Sequence, residues 1–321
     1  MRKLKQRQSG LSLVEVMIAA ALAVSLLAIL MVTTSRQQQM SRESMQLAML
    51  QQQGQLLLNL LQSELQHIGF WAGFSLQHVS ATASHFNPVQ GECTSLPEDS
   101  GSFPRTDLKL VPLYAELGSG AGISCMGQAV EHSAIVQFKR LVAQPFQHHE
   151  LKDNRYYLQI QSTGLKVVDS DTADNAPDTE FWPYLHQLFY VQQQGDVPVL
   201  MRKRLIRSQA GSPRIHTDSV MDGVEVLYVE LGVDTTLDGR ANYFASPQQL
   251  QDTDWYQQHS RIVAISYYFI IRSLEADPGY HNEQLYPMGL WSYQAPGDHY
   301  RRLMLQSTLY FHNVNRQLQG E

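Results

Sequence analysis

The sequence predicts an α+β fold in which one long N-terminal helix packs against an antiparallel β-sheet. Three observations support this prediction. An apolar run fills residues 11–32, leucines at helical spacing follow it, and from about residue 75 strand-like segments alternate with turns. A helix with one apolar stripe needs a second layer to cover it, and the later part of this chain offers a sheet.

Composition narrows the class of protein. The 321-residue chain is 43% hydrophobic and 17% charged, which excludes a disordered tail protein and a polytopic membrane protein. Its 24 Lys and Arg residues and 30 Asp and Glu residues give a formal net charge of −6. Binding to nucleic-acid phosphates needs a positive surface, so we expect no nucleic-acid partner.

The N-terminal segment is basic and then apolar. Arg2, Lys3, Lys5 and Arg7 precede residues 11–32, whose only strongly polar side chain is Glu15. As a helix this run extends over about 33 Å, enough to cross a bilayer core. The preceding charges predict a cytoplasmic N-terminus, with the rest of the chain on the far side of the membrane.

Three interpretations of this segment compete. It is a signal peptide cut after the apolar run, an uncut single-span anchor, or a segment cut after Gly10 that leaves the apolar helix on the mature protein. Glu15, five positions after Gly10 and behind a basic leader, favours the third interpretation.

The string SGLSLVEVMIA resembles the class III signal of type IV prepilins. The resemblance implies cleavage between Gly10 and Leu11 by a prepilin peptidase, followed by N-methylation of Leu11. It also implies that Glu15 serves subunit assembly by pairing with the terminal amine of a neighbouring subunit. Two charges in apolar surroundings are tolerated mainly as a pair. Leu11 departs from the family, which usually has Phe after the cleaved bond.

The helical pattern continues beyond the apolar run. No proline occurs before Pro88, and residues 33–68 are rich in helix-compatible residues. One helix over residues 11–68 is therefore predicted, membrane-spanning in its first half and amphipathic in its second, with Gly69 at its end. Gly54 falls on the stripe, where it permits close packing or marks a weak point, and the glutamine runs leave a coiled coil as an alternative. The stripe consists of Leu47, Leu50, Leu57, Leu58, Leu61, Leu65 and Ile68.

These patterns define four regions. They are a leader (1–10), a transmembrane or filament-core helix (11–32), an amphipathic extension (33–69) and a β-rich periplasmic domain (70–321). In the last region we expect Phe70, Trp71 and Phe74 to anchor the core. The predicted strands are 133–140, 156–161, 165–168, 186–192, 198–206, 224–233, 261–272 and 303–314.

Several strings resemble PilW-type minor pilins. They are ELQHIGFWAGF (64–74), FYVQQQGDVPVLMRKRL (189–205), MDGVEVLYVELGVDTTLDG (221–239) and RRLMLQSTLYFHNVNR (301–316). The resemblance implies a type IV pilin-like fold and a structural subunit that joins a tip or priming complex. The implied partners are other minor pilins, the major pilin, the prepilin peptidase and the assembly platform in the inner membrane.

The implied location is a single pass through the inner membrane, followed by transfer to the pilus. Three alternatives remain open. The chain is a minor pseudopilin of a type II secretion system, a membrane-anchored periplasmic enzyme, or a DNA-uptake adhesin that uses Arg202, Lys203, Arg204 and Arg207. On a strand, Arg202 and Arg204 share one face.

Cys93 and Cys125 are the only cysteines of the chain. Outside the cytoplasm two thiols tend to oxidise, so we predict a disulfide between them, with two separate buried thiols as the alternative. The chain has no CxxC motif, which disfavours a redox site or a zinc ribbon.

Motifs for catalysis are missing from the sequence. HExxH, GxSxG, Walker A and GxGxxG do not occur, so we expect no enzyme and no catalytic residues. His148, His149 and Glu150 are adjacent, and side chains that are adjacent on a strand diverge. A solvated loop is therefore favoured over a metal cluster.

Oxygen-bearing side chains at Asp234, Thr236 and Asp238 precede Gly239, and Asn242 follows. This order resembles the start of a calcium-binding loop. However, the twelfth position is Ala245, where an EF-hand needs Glu. A polar turn between strands is the favoured interpretation and a calcium site the alternative, and we expect no other cofactor.

Overall fold

The computed structural model describes residues 12–80, 86, 88–118, 122–162 and 164–313. The chain divides into two compact units, Met1–Met49 and Leu50–Glu321. Helix α1 (Leu13–Leu65) contributes residues to both units. The predicted leader, which ends at Gly10, and Leu11, the residue after the predicted cleavage, lie outside the described residues.

In the first unit, the described residues belong almost entirely to α1. Its hydroxyl side chains bond back to the carbonyls of the preceding turn. Ser25 Oγ donates to Ala21 O at 2.8 Å, and Thr34 Oγ1 donates to Leu30 O at 2.8 Å. These groups are satisfied within the helix, which suits an apolar environment that offers no water.

In the second unit, α1 buries four leucines of the predicted stripe, and Leu58 is half-buried. Leu47, which was also predicted to belong to the stripe, is 48% exposed, so burial begins at Leu50. Leu50, Leu57, Leu61 and Leu65 are each at most 3% exposed. The helix ends at Leu65 and not at Ile68, because the chain continues as hydrogen-bonded turns to Gly69. Gly69 has φ of 81°, a left-handed conformation that favours glycine and turns the chain away from the helix.

The larger sheet has seven antiparallel strands within the described residues. Strand β5 lies at its centre, since Tyr184 pairs with Leu141 of β2 on one side and with Tyr156 of β3 on the other. Further along β5, β6 takes the place of β3, and β7 follows β6. The strands are β1 (Leu113–Leu117), β2 (Ala134–Leu141), β3 (Tyr156–Gln161), β4 (Gly164–Val168), β5 (Glu180–Gln194), β6 (Val197–Arg207) and β7 (Pro213–Asp222).

The remaining strands form a second sheet and a hairpin. They are β8 (Val224–Asp234), β9 (Tyr243–Ala245), β10 (Arg261–Arg272), β11 (Leu285–Met288), β12 (Trp291–Gln294) and β13 (Arg302–Tyr310). The second sheet has the order β13-β10-β8-β9, and β11 pairs with β12. The short helix α2 (Leu76–Ser80) lies between α1 and β1. Between strands lie α3 (Asp252–Trp255) and two 3-10 turns, His148–Glu150 and Pro247–Gln249.

The main core lies where the α1 leucines meet side chains of both sheets, including Phe138, Phe189 and Phe269. A second cluster contains Trp71, Phe103, Tyr156 and Tyr184, with Phe70 and Phe74 half-buried against it. Trp71 is thus the fully buried anchor of the three aromatic residues predicted for this role.

The α+β, pilin-like architecture is confirmed. Each predicted strand segment overlaps an observed strand, and β1, β7, β9, β11 and β12 were not predicted. β5 starts at Glu180, six residues before the predicted start at 186. The prediction started too late because Pro183 lies inside the strand, and proline within a sequence argues against a strand. The last predicted strand, 303–314, is β13 and ends at Tyr310.

Candidate functional site

The predicted assembly residue Glu15 lies in the first turn of α1. Its N–H donates to Ser12 O at 3.0 Å. The apolar side chains around it are exposed, with Val14 at 61% and Ile18 at 57%. A carboxylate on such an apolar surface needs a positive partner once lipid or protein covers that surface.

Within the described residues, α1 is the one helix long and apolar enough to cross a membrane, judged by length and composition. No residue in the most apolar stretch of this helix is buried. A single N-terminal helix of this kind fits membrane anchoring.

Cys93 and Cys125 form the predicted disulfide, with a Cα–Cα distance of 4.8 Å. The bond joins the segment 91–103 to the segment 122–127. Beside it, Thr94 N donates to Ser124 Oγ, and Ser124 N donates to Thr94 O, each at 3.0 Å. Covalent and hydrogen bonds therefore fix the two segments together.

A buried ion pair holds the segment 91–103 on the larger sheet. Lys139 Nζ of β2 lies 2.5 Å from Asp99 Oδ1, and both side chains are 0% exposed. Asp99 also accepts from Ser95 N at 3.0 Å and from Gly101 N at 3.2 Å. These extra donors satisfy the carboxylate, which a buried charge requires.

His186 of β5 is the register partner of Lys139 and contacts the same segment, 91–103. Ser102 Oγ donates to Glu92 Oε1 at 2.6 Å, so in the contact of 2.9 Å between His186 Nδ1 and Ser102 Oγ the imidazole is the donor. Burial, and then the charge of Lys139, hold the pKa of His186 well below its usual value. His186 is therefore neutral in the folded protein.

The Ser102–His186 pair has the residue types of a nucleophile and its base, but its surroundings are those of a core. Ser102 is 0% exposed and His186 is 1% exposed. Tyr184 covers the serine from another side, since its hydroxyl donates to Ser102 O at 2.6 Å. A substrate cannot reach the pair, so it acts as a structural network.

Sequence reasoning missed this network. Its members come from three segments that are distant in the chain: the loop before β1, strand β2 and strand β5. The local signal is in β2, where Gln137, Lys139 and Arg140 interrupt an apolar run although every residue of the strand is buried.

The calcium candidates lie in the loop between β8 and β9. Asp234 is 0% exposed and accepts from Leu237 N and Gly239 N, each at 2.7 Å. Burial by itself raises the pKa of Asp234, but the N–H groups of Gly239 and Leu237 outweigh burial and hold it below its usual value. The carboxylate thus has backbone donors where a cation would bind.

The other candidates join this loop differently. Asn242 Oδ1 accepts from Thr235 N at 2.7 Å and from Thr236 N at 3.3 Å, whereas Asp238 Oδ1 accepts from Arg240 N at 2.9 Å. The loop brings Asp234, Thr236 and Asn242 together, and it directs the Asp238 carboxylate to a separate donor. Across the residues described, no three His, Cys, Asp or Glu side chains are grouped to hold a metal. The calcium site stays the untested alternative to the polar turn.

The comparisons with known proteins point to the pilus. Residues 188–313 match the family model described as Type IV Pilus-assembly protein W, PilW. The match supports a PilW-family type IV pilus protein. No curated protein and no solved structure matches the chain. The description of this family model supports a role in type IV pilus assembly.

The PilW-matching region extends from the second half of β5 through β13. It contains the calcium candidates and the basic patch, whereas Glu15 and the disulfide lie before it. The resemblance that the N-terminal strings carry is therefore independent of this match.

The basic patch of the PilW-matching region is paired with acids. Arg202 and Arg204 share a face, as predicted, and both contact Asp218, at 3.1 Å and 2.9 Å. His216 Nε2 lies 2.9 Å from the same carboxyl group. Arg207 pairs with Asp169 at 3.0 Å and with Asp171. These carboxylates cancel much of the positive potential that phosphate binding needs.

His148 and His149, considered above as part of a metal cluster with Glu150, lie in a 3-10 turn, His148–Glu150. Glu150 turns away from them, because its Oε2 accepts from Gln147 N at 2.7 Å. The turn is a capped surface loop.

Proposed function

We propose that the chain is a minor pilin of a type IV pilus that joins a tip or priming complex and promotes assembly. A prepilin peptidase cuts between Gly10 and Leu11, and α1 holds the subunit in the inner membrane with the globular unit in the periplasm. Other minor pilins, the major pilin and the assembly platform are its partners. The PilW match and the α+β fold support this proposal.

The exposed apolar surface of α1 is the observation that carries the proposal. Leu13 is 76% exposed, Leu22 61% and Leu30 58%. Each fully covered side chain of this size is worth about 1.5–3 kcal/mol relative to water. Lipid covers such a surface in the membrane, and neighbouring helices cover it in a filament.

Transfer from lipid to a bundle of helices changes the hydrophobic term little, since lipid tails are as apolar as leucine. Specific polar contacts then decide where the subunit goes. Glu15 is the only acidic or basic residue in residues 11–32, and pairing it with a terminal amine removes the cost of a lone charge.

Glu15→Ala tests this role. We expect the variant to reach the inner membrane in normal amounts and to be depleted in sheared pili, and immunoblots of the two fractions measure both. Glu43→Ala removes a carboxylate of the same helix outside the apolar segment and serves as the matched control. Equal incorporation of Glu15→Ala and Glu43→Ala would remove Glu15 from assembly.

Cleavage is tested separately. Mass spectrometry of the mature protein should find N-methylated Leu11 at the terminus, and an intact Met1 in peptidase-positive cells would contradict the proposal. Loss of pili on deletion of the gene, with type II secretion intact, distinguishes the minor pilin from a minor pseudopilin, for which the opposite result is expected.

A further inference from the structure

Among the residues that the structure describes, no strand pairs with the outer edge of β13. β13 pairs with β10 without a register shift from Arg302 to Tyr310. Just beyond its two ends, Ser273 N donates to Arg301 O and Phe311 N donates to Val263 O, each at 2.8 Å. Backbone groups alternate sides along an antiparallel strand, so the odd-numbered residues bond to β10. The backbone groups of Met304, Gln306, Thr308 and Tyr310 therefore face outward.

No described segment covers these outward groups, because β13 ends the order β13-β10-β8-β9. The edge is also neutral. Residues 303–311, LMLQSTLYF, contain no charged residue and no proline. Long, flat and uncharged edges are templates for other strands, and proteins usually protect them.

Strand β7, the other long edge, shows such protection. It begins at Pro213 and carries Arg214, His216 and Asp218, and its pairing with β6 contains a register shift. Gln90 also covers its first residues. Gln90 N donates to Pro213 O at 3.1 Å, and Gln90 O accepts from Ile215 N at 2.9 Å. The same molecule thus protects one long edge and leaves the other open.

From this contrast we propose that the β13 edge docks an extended, uncharged segment of a different pilus subunit, which adds a strand to the second sheet. This inference rests on the proposed function. A strand added at this edge can form a hydrogen bond with each outward N–H and C=O group of β13. On one face, Leu303 and Leu305 lie against α1 at Gly54, and on the other Gln306 and Tyr310 are exposed. An added strand with apolar and polar faces continues both surfaces.

A second copy of this chain fits the edge less well. Two β13 edges paired antiparallel about a two-fold axis would reverse the direction of residues 50–65 of α1 between the copies. Subunits inserted in one membrane by the same N-terminal segment enter it in the same direction. A different subunit has no such symmetry to satisfy.

The first experiment removes one outward donor. Gln306→Pro takes away an N–H that β10 does not use, and Gln306→Thr keeps it as the matched control. We expect both variants to reach the membrane, with Gln306→Pro reduced roughly tenfold in sheared pili and in complexes with the other minor pilins, because about 1.4 kcal/mol is a factor of ten. Equal amounts of Gln306→Pro and wild type in pili would overturn the edge inference and leave the proposed function standing. Absence of the wild-type chain from pili would overturn both.

Hydrogen exchange gives a readout that does not depend on folding of a variant. In the full chain in detergent, the amides of residues 303, 305, 307 and 309 should be protected and those of 304, 306, 308 and 310 should exchange fast. Adding the other minor pilins should protect the second set. Outward amides that stay unprotected in the complex would refute the inference, and so would protection that appears when this chain alone is concentrated, which would indicate a second copy.

Discussion

Lys139 and Asp99 form an ion pair closed to solvent on both sides, with Nζ 2.5 Å from Oδ1. Lys139 belongs to β2, and Asp99 lies in the loop that the disulfide ties down at Cys93. The pair therefore attaches that loop to the sheet at a second point. A buried pair of this kind adds little net stability over an apolar pair, but leaving one member alone is costly.

Lys139→Met should destabilise the fold strongly, because it leaves the Asp99 carboxylate buried without a counter-charge. We expect a loss of about 3–5 kcal/mol in the free energy of unfolding, read from urea titration. Adding Asp99→Asn removes the second charge and keeps one oxygen, which can serve either Ser95 N (now on Oδ2) or Gly101 N (now on Oδ1), so the double variant should regain part of the loss. Equal losses in the single and double variants would show that charge is not the cause.

Stability should fall in mild acid because of His186. Burial and Lys139 depress its pKa in the folded state, so below the ordinary value of 6.5 the unfolded chain binds the proton more readily. Above pH 6.5 both states leave the imidazole neutral, so His186 takes nothing from the free energy of unfolding. As the pH falls from 6.5 towards the folded pKa, the free energy of unfolding decreases, at a limiting slope of about 1.4 kcal/mol per pH unit.

Urea titrations of wild type and His186→Gln at about pH 7.5 and about pH 5.5 measure this contribution. Glutamine keeps a donor for Ser102 and does not titrate. Wild type should therefore lose about 1 kcal/mol more than the variant between the two conditions. Titration of the other histidines is common to both proteins and cancels in the difference. Equal losses would show that His186 does not carry the effect.

The helix was predictable because its signal is local. Leu50, Leu57, Leu61 and Leu65 recur at the spacing that places them on one side of a helix, and all four are buried. Strand β7 was not predictable in the same way. Its sequence, PRIHTDSVMD, starts with proline and has no buried residue after Pro213, so no alternation marks it. Its partner β6 defines it as a strand.

The candidate site likewise contains residues with a local sequence signal and residues that only contacts between distant segments bring together. A string of a few residues predicts a role for Glu15, and the two cysteines, expected to lie outside the cytoplasm, predict the disulfide that the structure shows. The network of Asp99, Lys139 and His186 exists only once the loop before β1 lies across β2 and β5. No pattern along the chain records that arrangement.

Breaking the disulfide should destabilise the globular unit by about 3–4 kcal/mol, on the chain-entropy model for a loop of this length. The sequence separation of the two cysteines is 32. Cys93→Ala/Cys125→Ala is the suitable variant, since it leaves no thiol to react, and urea titration measures the loss. Wild type in reductant should match the variant in oxidising buffer, and a variant as stable as oxidised wild type would contradict the estimate.

Calcium should leave the unfolding temperature unchanged, because backbone N–H groups already donate hydrogen bonds to both oxygens of the Asp234 carboxylate. A ligand that binds only the folded state adds about 2.7 kcal/mol to the free energy of unfolding at a hundredfold excess over its Kd, and it thereby raises the unfolding temperature. Melting curves in millimolar CaCl2, in MgCl2 and in EDTA compare the cases. A rise specific to calcium that Asp234→Asn abolishes would establish the site instead.

Gly54 should tolerate no branched side chain, since a Cβ there would overlap Leu305 Cδ1 of β13 and lie 3.5 Å from Leu303 Cδ2. Gly54→Val gains some helix propensity, but overpacking should outweigh it and cost about 1–3 kcal/mol. Gln51→Val, on the exposed side of the same helix, is the matched control and should change stability little. Leu305→Ala opens the space that the valine needs, so the double variant should be more stable than the two single losses predict, by about 1 kcal/mol. Strict additivity would mean that the close approach of α1 to β13 does not limit residue 54.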